Sequence, residues 1–161
     1  MKYMKHLIAM LALMWLSVPA LAAQGSIEVR IEVKKIEVTT VYGEKKTKEV
    51  DVKTVLPGDE LIYTIYFKNI DRVPVDNIEI TDPIPKGTVY KQGSAFGAGT
   101  EITFSVDGGK TYAGPDDLNV TGKDGAVRKA QAADYTDIRW IFTPKLPPEK
   151  TGTAQFRVIV K

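Results

Sequence analysis

The sharpest chemical spacing in the chain belongs to Ser105, Asp107, Gly109, Thr111 and Tyr112, in the run SVDGGKTY. An aspartate just before a Gly-Gly pair can accept bonds from the amides of a tight turn, while the glycines take positive φ. Ser105 and Thr111 then face each other across a hairpin. This chemistry braces a turn and leaves no group to react.

Two carboxylate clusters remain, Asp116 with Asp117 and Asp134 with Asp137. A glycosidic hydrolase needs two carboxylates at a set separation, one with its pKa raised by burial. Both clusters fall in segments read as loops, where acidic side chains face water. Asp116, Asp117 and Asp124 are the oxygen ligands a loop calcium site would use, but they lack EF-hand spacing. We therefore assign no catalytic, cofactor-binding or metal-ligating residue. Asp82 precedes Pro83 and Pro85 at a strand end and is read as structural, capping backbone amides at that corner. Asn119-Val120-Thr121 matches a glycosylation sequon, a pattern that also arises by chance. Tyr63, Tyr66, Tyr112, Tyr135 and Trp140 would stack on a sugar if one face exposed them, whereas Tyr and Trp at strand parity are more often packing residues.

Strands must position these groups, because period two runs through the chain. Ile27, Val29, Ile31 and Val33 alternate with Glu28, Arg30 and Glu32, the pattern of a half-buried strand. The phase slips at Lys34-Lys35 and resumes with Ile36 and Val38 on the other parity, which predicts a β-bulge or a change of sheet. Residues 43–46 read as a loop and Val50 and Val52 as a short strand. After the Pro57-Gly58-Asp59 turn, Leu61, Tyr63, Ile65 and Phe67 alternate with Ile62, Thr64 and Tyr66, so both faces are apolar or aromatic and the strand is central. Further strands are read at Ile78 and Ile80, ended by Pro83 and Pro85, at Val89 and Tyr90, and at Ile102, Phe104 and Val106. The glycine-rich stretch 93–99 reads as a mobile loop, and 113–133 contains only a short strand around 118–120. Ile138, Trp140 and Phe142 precede a proline-rich turn at 144–152, and Ala154, Phe156, Val158 and Val160 form the last strand. Trp140 is expected in the core. About seven or eight short strands without a helical segment predict an immunoglobulin-like β-sandwich.

Residues 1–22 have the order of a secretory signal: Lys2 and Lys5, an apolar run from Leu7 to Leu16, Pro19, then Ala20-Leu21-Ala22. The run is shorter than the roughly 20 residues a bilayer requires, so cleavage after Ala22 is expected, with no transmembrane anchor in the mature chain. Cleavage removes His6, the only histidine, and leaves 20 basic against 20 acidic residues. A neutral domain without a basic run lacks the field that nucleic-acid binding needs. With no cysteine in the chain, neither a disulfide nor a lipid-acceptor thiol is available. Residues 23–161 are expected to form one domain that stands on its apolar core.

The run VLPGDELIYTIYFKN, then NIEITDPIPKGT, then PPEKTGTAQFRVIV resembles the conserved repeat domain of bacterial surface proteins, also called domain of unknown function eleven, in a single copy over roughly 52–161. The resemblance implies an immunoglobulin-like sandwich in exported proteins, with no catalytic residues. SVDGGKTY is similar to the Asp-box hairpin of sialidase propellers, which lies away from catalytic centres. The resulting expectation is an exported, periplasmic or extracellular module with a structural or protein-binding role. A protein or an envelope component is the expected partner. The alternatives are a carbohydrate-binding module and an aspartate-dependent hydrolase.

Overall fold

Alternating side chains give strands, and strands dominate the computed structural model, which describes residues 27–161. The segments are β1 (Ile27–Val41), β2 (Glu44–Asp51), β3 (Glu60–Asn69), β4 (Ile78–Pro83), β5 (Thr88–Tyr90) and β6 (Phe96–Gly97). They continue with β7 (Thr100–Ser105), β8 (Asn119–Thr121), β9 (Val127–Lys129), β10 (Asp137–Phe142) and β11 (Thr151–Val160). A single 3₁₀ turn covers Ala132–Asp134. The expected signal peptide lies outside the described residues. Among the described residues, no helix is long and apolar enough to cross a membrane.

The molecule is an all-β sandwich of antiparallel sheets. The larger sheet has the order β2-β1-β3-β11-β5, with β6 pairing farther along β11, and the smaller has the order β4-β10-β7. β8 and β9 form a separate ladder. β8 matches the short strand expected around 118–120, whereas β6, inside the stretch 93–99 expected as a loop, and β9 are two and three residues long and fall where glycine and alanine content hides alternation. Rings from the two sheets meet in the middle layer: Trp140 lies 5.9 Å from Phe156, Phe67 5.4 Å from Phe142, and Tyr90 5.2 Å from Phe104. Trp140 is fully buried, as its parity with Ile138 and Phe142 requires. β3 is the central strand, paired with β1 on one side and β11 on the other. At Gly152, opposite Phe67, an added Cβ would stand 2.2 Å from that ring, so only glycine lets β11 pass.

Two sequence expectations are corrected. No bulge or change of sheet occurs at Lys34-Lys35: β1 pairs with β3 without a break from Ile27↔Asn69 to Ile36↔Glu60. The phase slip reflects a change of chemistry on each face instead. Lys35 takes the inner position and reaches Asp59 at 2.8 Å, while Ile36 turns outward, diagonal to buried Ile62. Residues 43–46 are not an open loop either. Tyr42 and Gly43, with φ of 53° and 83°, make a two-residue turn between β1 and β2. Positive φ at both central residues suits a turn whose twist matches its strands. Beyond Ile36 this hairpin has left β3 behind and continues as a two-stranded arm.

Candidate functional site

The Ser105–Tyr112 segment is a polar cluster densely tied by its own hydrogen bonds. β7 leaves its sheet after Ser105, and the chain returns at Ala113, which exchanges two backbone hydrogen bonds with Phe104 at 3.0 and 3.1 Å. Inside this closed loop, Asp107 Oδ1 accepts from Ser105 Oγ at 2.7 Å, from the Thr111 amide at 3.0 Å and from the Lys110 amide at 3.1 Å. Thr111 Oγ1 donates to Asp107 Oδ2 at 2.6 Å. Ser105 Oγ in turn accepts from the amides of Asp107 and Gly109. These donors, led by the Thr111 hydroxyl, hold the Asp107 carboxyl far below the usual carboxylate range. Gly108 and Gly109 both have positive φ.

The loop aims Tyr112. Its ring covers Arg139 of β10, with the guanidinium carbon 3.8 Å from the ring centroid, and Arg139 also reaches Glu79 of β4 at 3.2 Å. Loop, β10 and β4 are thereby tied together on the outer face of the smaller sheet. Every strong interaction of Asp107 ends inside its own loop, so the motif is a brace.

The carboxylates of the two sequence clusters have separate partners. Asp134 receives both terminal nitrogens of Arg128 at 2.6 and 2.8 Å and the Gln131 amide at 2.8 Å, and the Arg128 bond is the main reason its pKa is lowered. Asp137 lies against Gly109, and the Asp124 carboxylate closes its own turn onto the Ala126 amide. Among the described residues, no group of three or more acidic or histidine side chains is placed to hold a metal, and Asp116, Asp117 and Asp124 are not brought together.

Asp82 differs from its expected role. It faces inward from β4, opposite fully buried Ile138, and Oδ2 is buried without a hydrogen-bond partner. No capped backbone amide is found. Burial, assisted by the charge of Asp137, pushes its carboxyl up to about 6. The aromatic residues are dispersed as well. Trp140 and Tyr135 are buried, Tyr63 stacks on Phe156 at 5.0 Å, and Tyr66 lies on the outer face under Arg30. They do not form one exposed platform.

One flank of the sandwich is unclosed. On the side of β5 and β7, Tyr90, Phe104 and Tyr135 seal the gap, with Phe104 and Tyr135 stacked at 4.5 Å. On the other side, β1 extends past β4. Val29 and Ile31 have the parity of the inward-facing Ile27 and Val33, yet stand 50% and 51% exposed. A cleft of about 730 Å³ separates the start of β1 from β4, and Val73, 57% exposed, lies on its rim. β4 is an end strand, so its outer edge has no ladder partner. The loop leading into the cleft is fixed by fully buried Asn69, whose Nδ2 donates to the Val73 and Leu146 carbonyls, each at 2.8 Å. Sequence alternation marked Val29 and Ile31 as half-buried but held no sign that the facing sheet stops short. A comparison of the chain with family models, with curated proteins and with solved structures returns no match.

Proposed function

We propose that the chain is an exported, non-catalytic immunoglobulin-like module that binds a protein component of the bacterial envelope or its surroundings. The observation that carries this reading is the unclosed flank: Val29, Ile31 and Val73 are exposed beside an unpaired strand edge, in a fold that buries its other inward-facing side chains well. Exposed apolar side chains clustered with unpaired backbone mark an interaction surface more often than solvated framework. Asp107, Asp124 and Asp134 serve as braces and ion pairs, and Asp82 faces the buried Ile138 between the sheets, which favours binding over hydrolysis. Scattered aromatics favour a protein partner over a sugar. The export part of the reading rests on the signal-like residues 1–22 and on the resemblance of VLPGDELIYTIYFKN and TDPIP to the surface-protein repeat domain.

The test has two arms. Intact mass of the protein recovered from the periplasm or medium should correspond to a chain beginning at Ala23; a mass retaining residues 1–22 contradicts export by cleavage. In the same cells, a photo-crosslinking side chain placed at Ile31 should yield a discrete protein adduct. The same group at Val127, an exposed apolar position on the separate β8–β9 ladder, should not. Equal adducts from both positions, or none from Ile31, contradict a binding role for the flank.

A further inference from the structure

We infer that the unclosed flank takes up an extended strand from a partner, with apolar side chains at alternate positions and lysine or arginine between them, as an added fourth strand beside β4. This inference rests on the binding-module reading and names its site and partner chemistry.

Backbone geometry supplies the first argument. The larger sheet places β1, β3, β11 and β5 over a smaller sheet of β4, β10 and β7, so one strand position beside β4 is vacant. A strand paired to the outer edge of β4 would lie under the inner face of β1. A strand paired to the free edge of β1 at residues 27–33 would extend the larger sheet outward and leave that face uncovered. Only the β4 position both satisfies unpaired backbone groups and buries Val29 and Ile31. Pro83 lacks a donor, which limits the pairing to the stretch before it.

Side-chain spacing supplies the second. Val29 and Ile31 are two residues apart, about 7 Å along the strand. An opposing strand meets both only if its apolar residues also recur every second position. Its intervening side chains then point to the outer face of the smaller sheet, the face that carries Glu79.

Charge chooses among strands with that pattern. The cleft is lined by Asp71, Asp76 and Glu79, the last paired with Arg139 of β10, and by no lysine or arginine of its own. Opposite charges across neighbouring strands are favourable and like charges are unfavourable. A second copy offering its own residues 27–33 has the apolar alternation, but would bring Glu28 and Glu32 to this acidic rim. The second copy's β2 offers neither the charge nor the apolar face, because its three lysines are offset by Glu44, Glu49 and Asp51 and because Lys45, Thr47 and Glu49 share one side of it. A separate partner strand that is apolar on one face and basic on the other meets both requirements.

The probe is a seven-residue peptide of alternating valine and lysine with blocked ends, added to the exported, processed chain. Binding is read by fluorescence anisotropy of labelled peptide and by amide hydrogen exchange on β4. The alternating peptide should bind and slow exchange on β4 at least tenfold. Glutamate in place of lysine should weaken binding at least tenfold, and Ile31→Lys should abolish it without lowering the melting temperature of the protein. The inference is overturned if a peptide with the same residues in two blocks binds equally well, or if no peptide protects β4. Protection of β4 that needs no peptide and grows with protein concentration would assign the edge to a second copy and also overturn it. A specific crosslink from Ile31 in cells combined with no peptide binding would refute strand addition while leaving the binding-module reading intact.

Discussion

The two flanks of this sandwich are built from the same kind of strand and end differently. At the β5–β7 flank, Tyr90, Phe104 and Tyr135 fill the space between sheets, and the Ser105–Tyr112 loop is closed beside them by paired bonds between Phe104 and Ala113. At the β1–β4 flank, inward-facing Val29 and Ile31 meet no opposing strand. Closure thus depends on whether each strand of one sheet has a counterpart in the other, and much less on how apolar the strand is. The polar devices divide in the same way. Asp107 is satisfied by neighbours within four residues, whereas Asp82 is half-buried across from Ile138 with one oxygen unpartnered.

Substitutions along this divide should separate strongly. The largest loss belongs to the middle of the sandwich, where Trp140→Ala should cost about 3–5 kcal/mol, a large share of the stability of a domain without disulfides. Denaturant unfolding followed by circular dichroism measures it, and in the wild type the fluorescence of this tryptophan should have the blue-shifted maximum of a buried indole.

A smaller loss is expected in the braced loop, where Asp107→Ala removes four accepted hydrogen bonds, most of them solvent-accessible. It should lower the melting temperature by clearly less than Trp140→Ala does, and leave any binding at the β1–β4 flank unchanged. Asp107 titrates only in strong acid, so the brace should persist across ordinary acidic conditions.

The smallest effect is a gain. Because the Asp82 carboxyl has a folded pKa of about 6, above its unfolded value of 3.8, the folded state holds its proton more tightly. Its contribution to stability is complete below about pH 4 and is lost as pH rises from 4 through 6. Asp82→Asn should therefore stabilise the protein at pH 7 by about 1 kcal/mol, after allowing for partial solvent access, and make little difference at pH 4. Paired melting curves at the two pH values would show this. Equal effects at both would mean that Asp82 is not desolvated.

Legibility in the sequence followed the range of the interaction. The inner-facing series of β3, β10 and β11 could be read from period two alone, and the Asp107 brace from five residues in one octet. Of β2 only Val50 is legible, with Val52 falling beyond the strand, because EKKTKE, in a ribbon open to solvent on both faces, carries no apolar alternation. The Lys34-Lys35 phase slip was misread as a bulge because the ion pair between Lys35 and Asp59 spans a hairpin and is invisible locally. Asp82 was misread for the same reason: the residues that bury it come from other strands. For Val29 and Ile31, alternation described the strand correctly, but their exposure is a property of the opposite sheet.

The central claim is that the β1–β4 flank is surface supplied by the fold and not part of its core. The most direct measurement is the melting temperature of the double variant Val29→Lys with Ile31→Lys. Side chains already in contact with water are replaced at little cost, so the midpoint should shift by no more than about 3 °C. A fall comparable to that of Trp140→Ala would contradict the account, since it would place both residues inside the packed core.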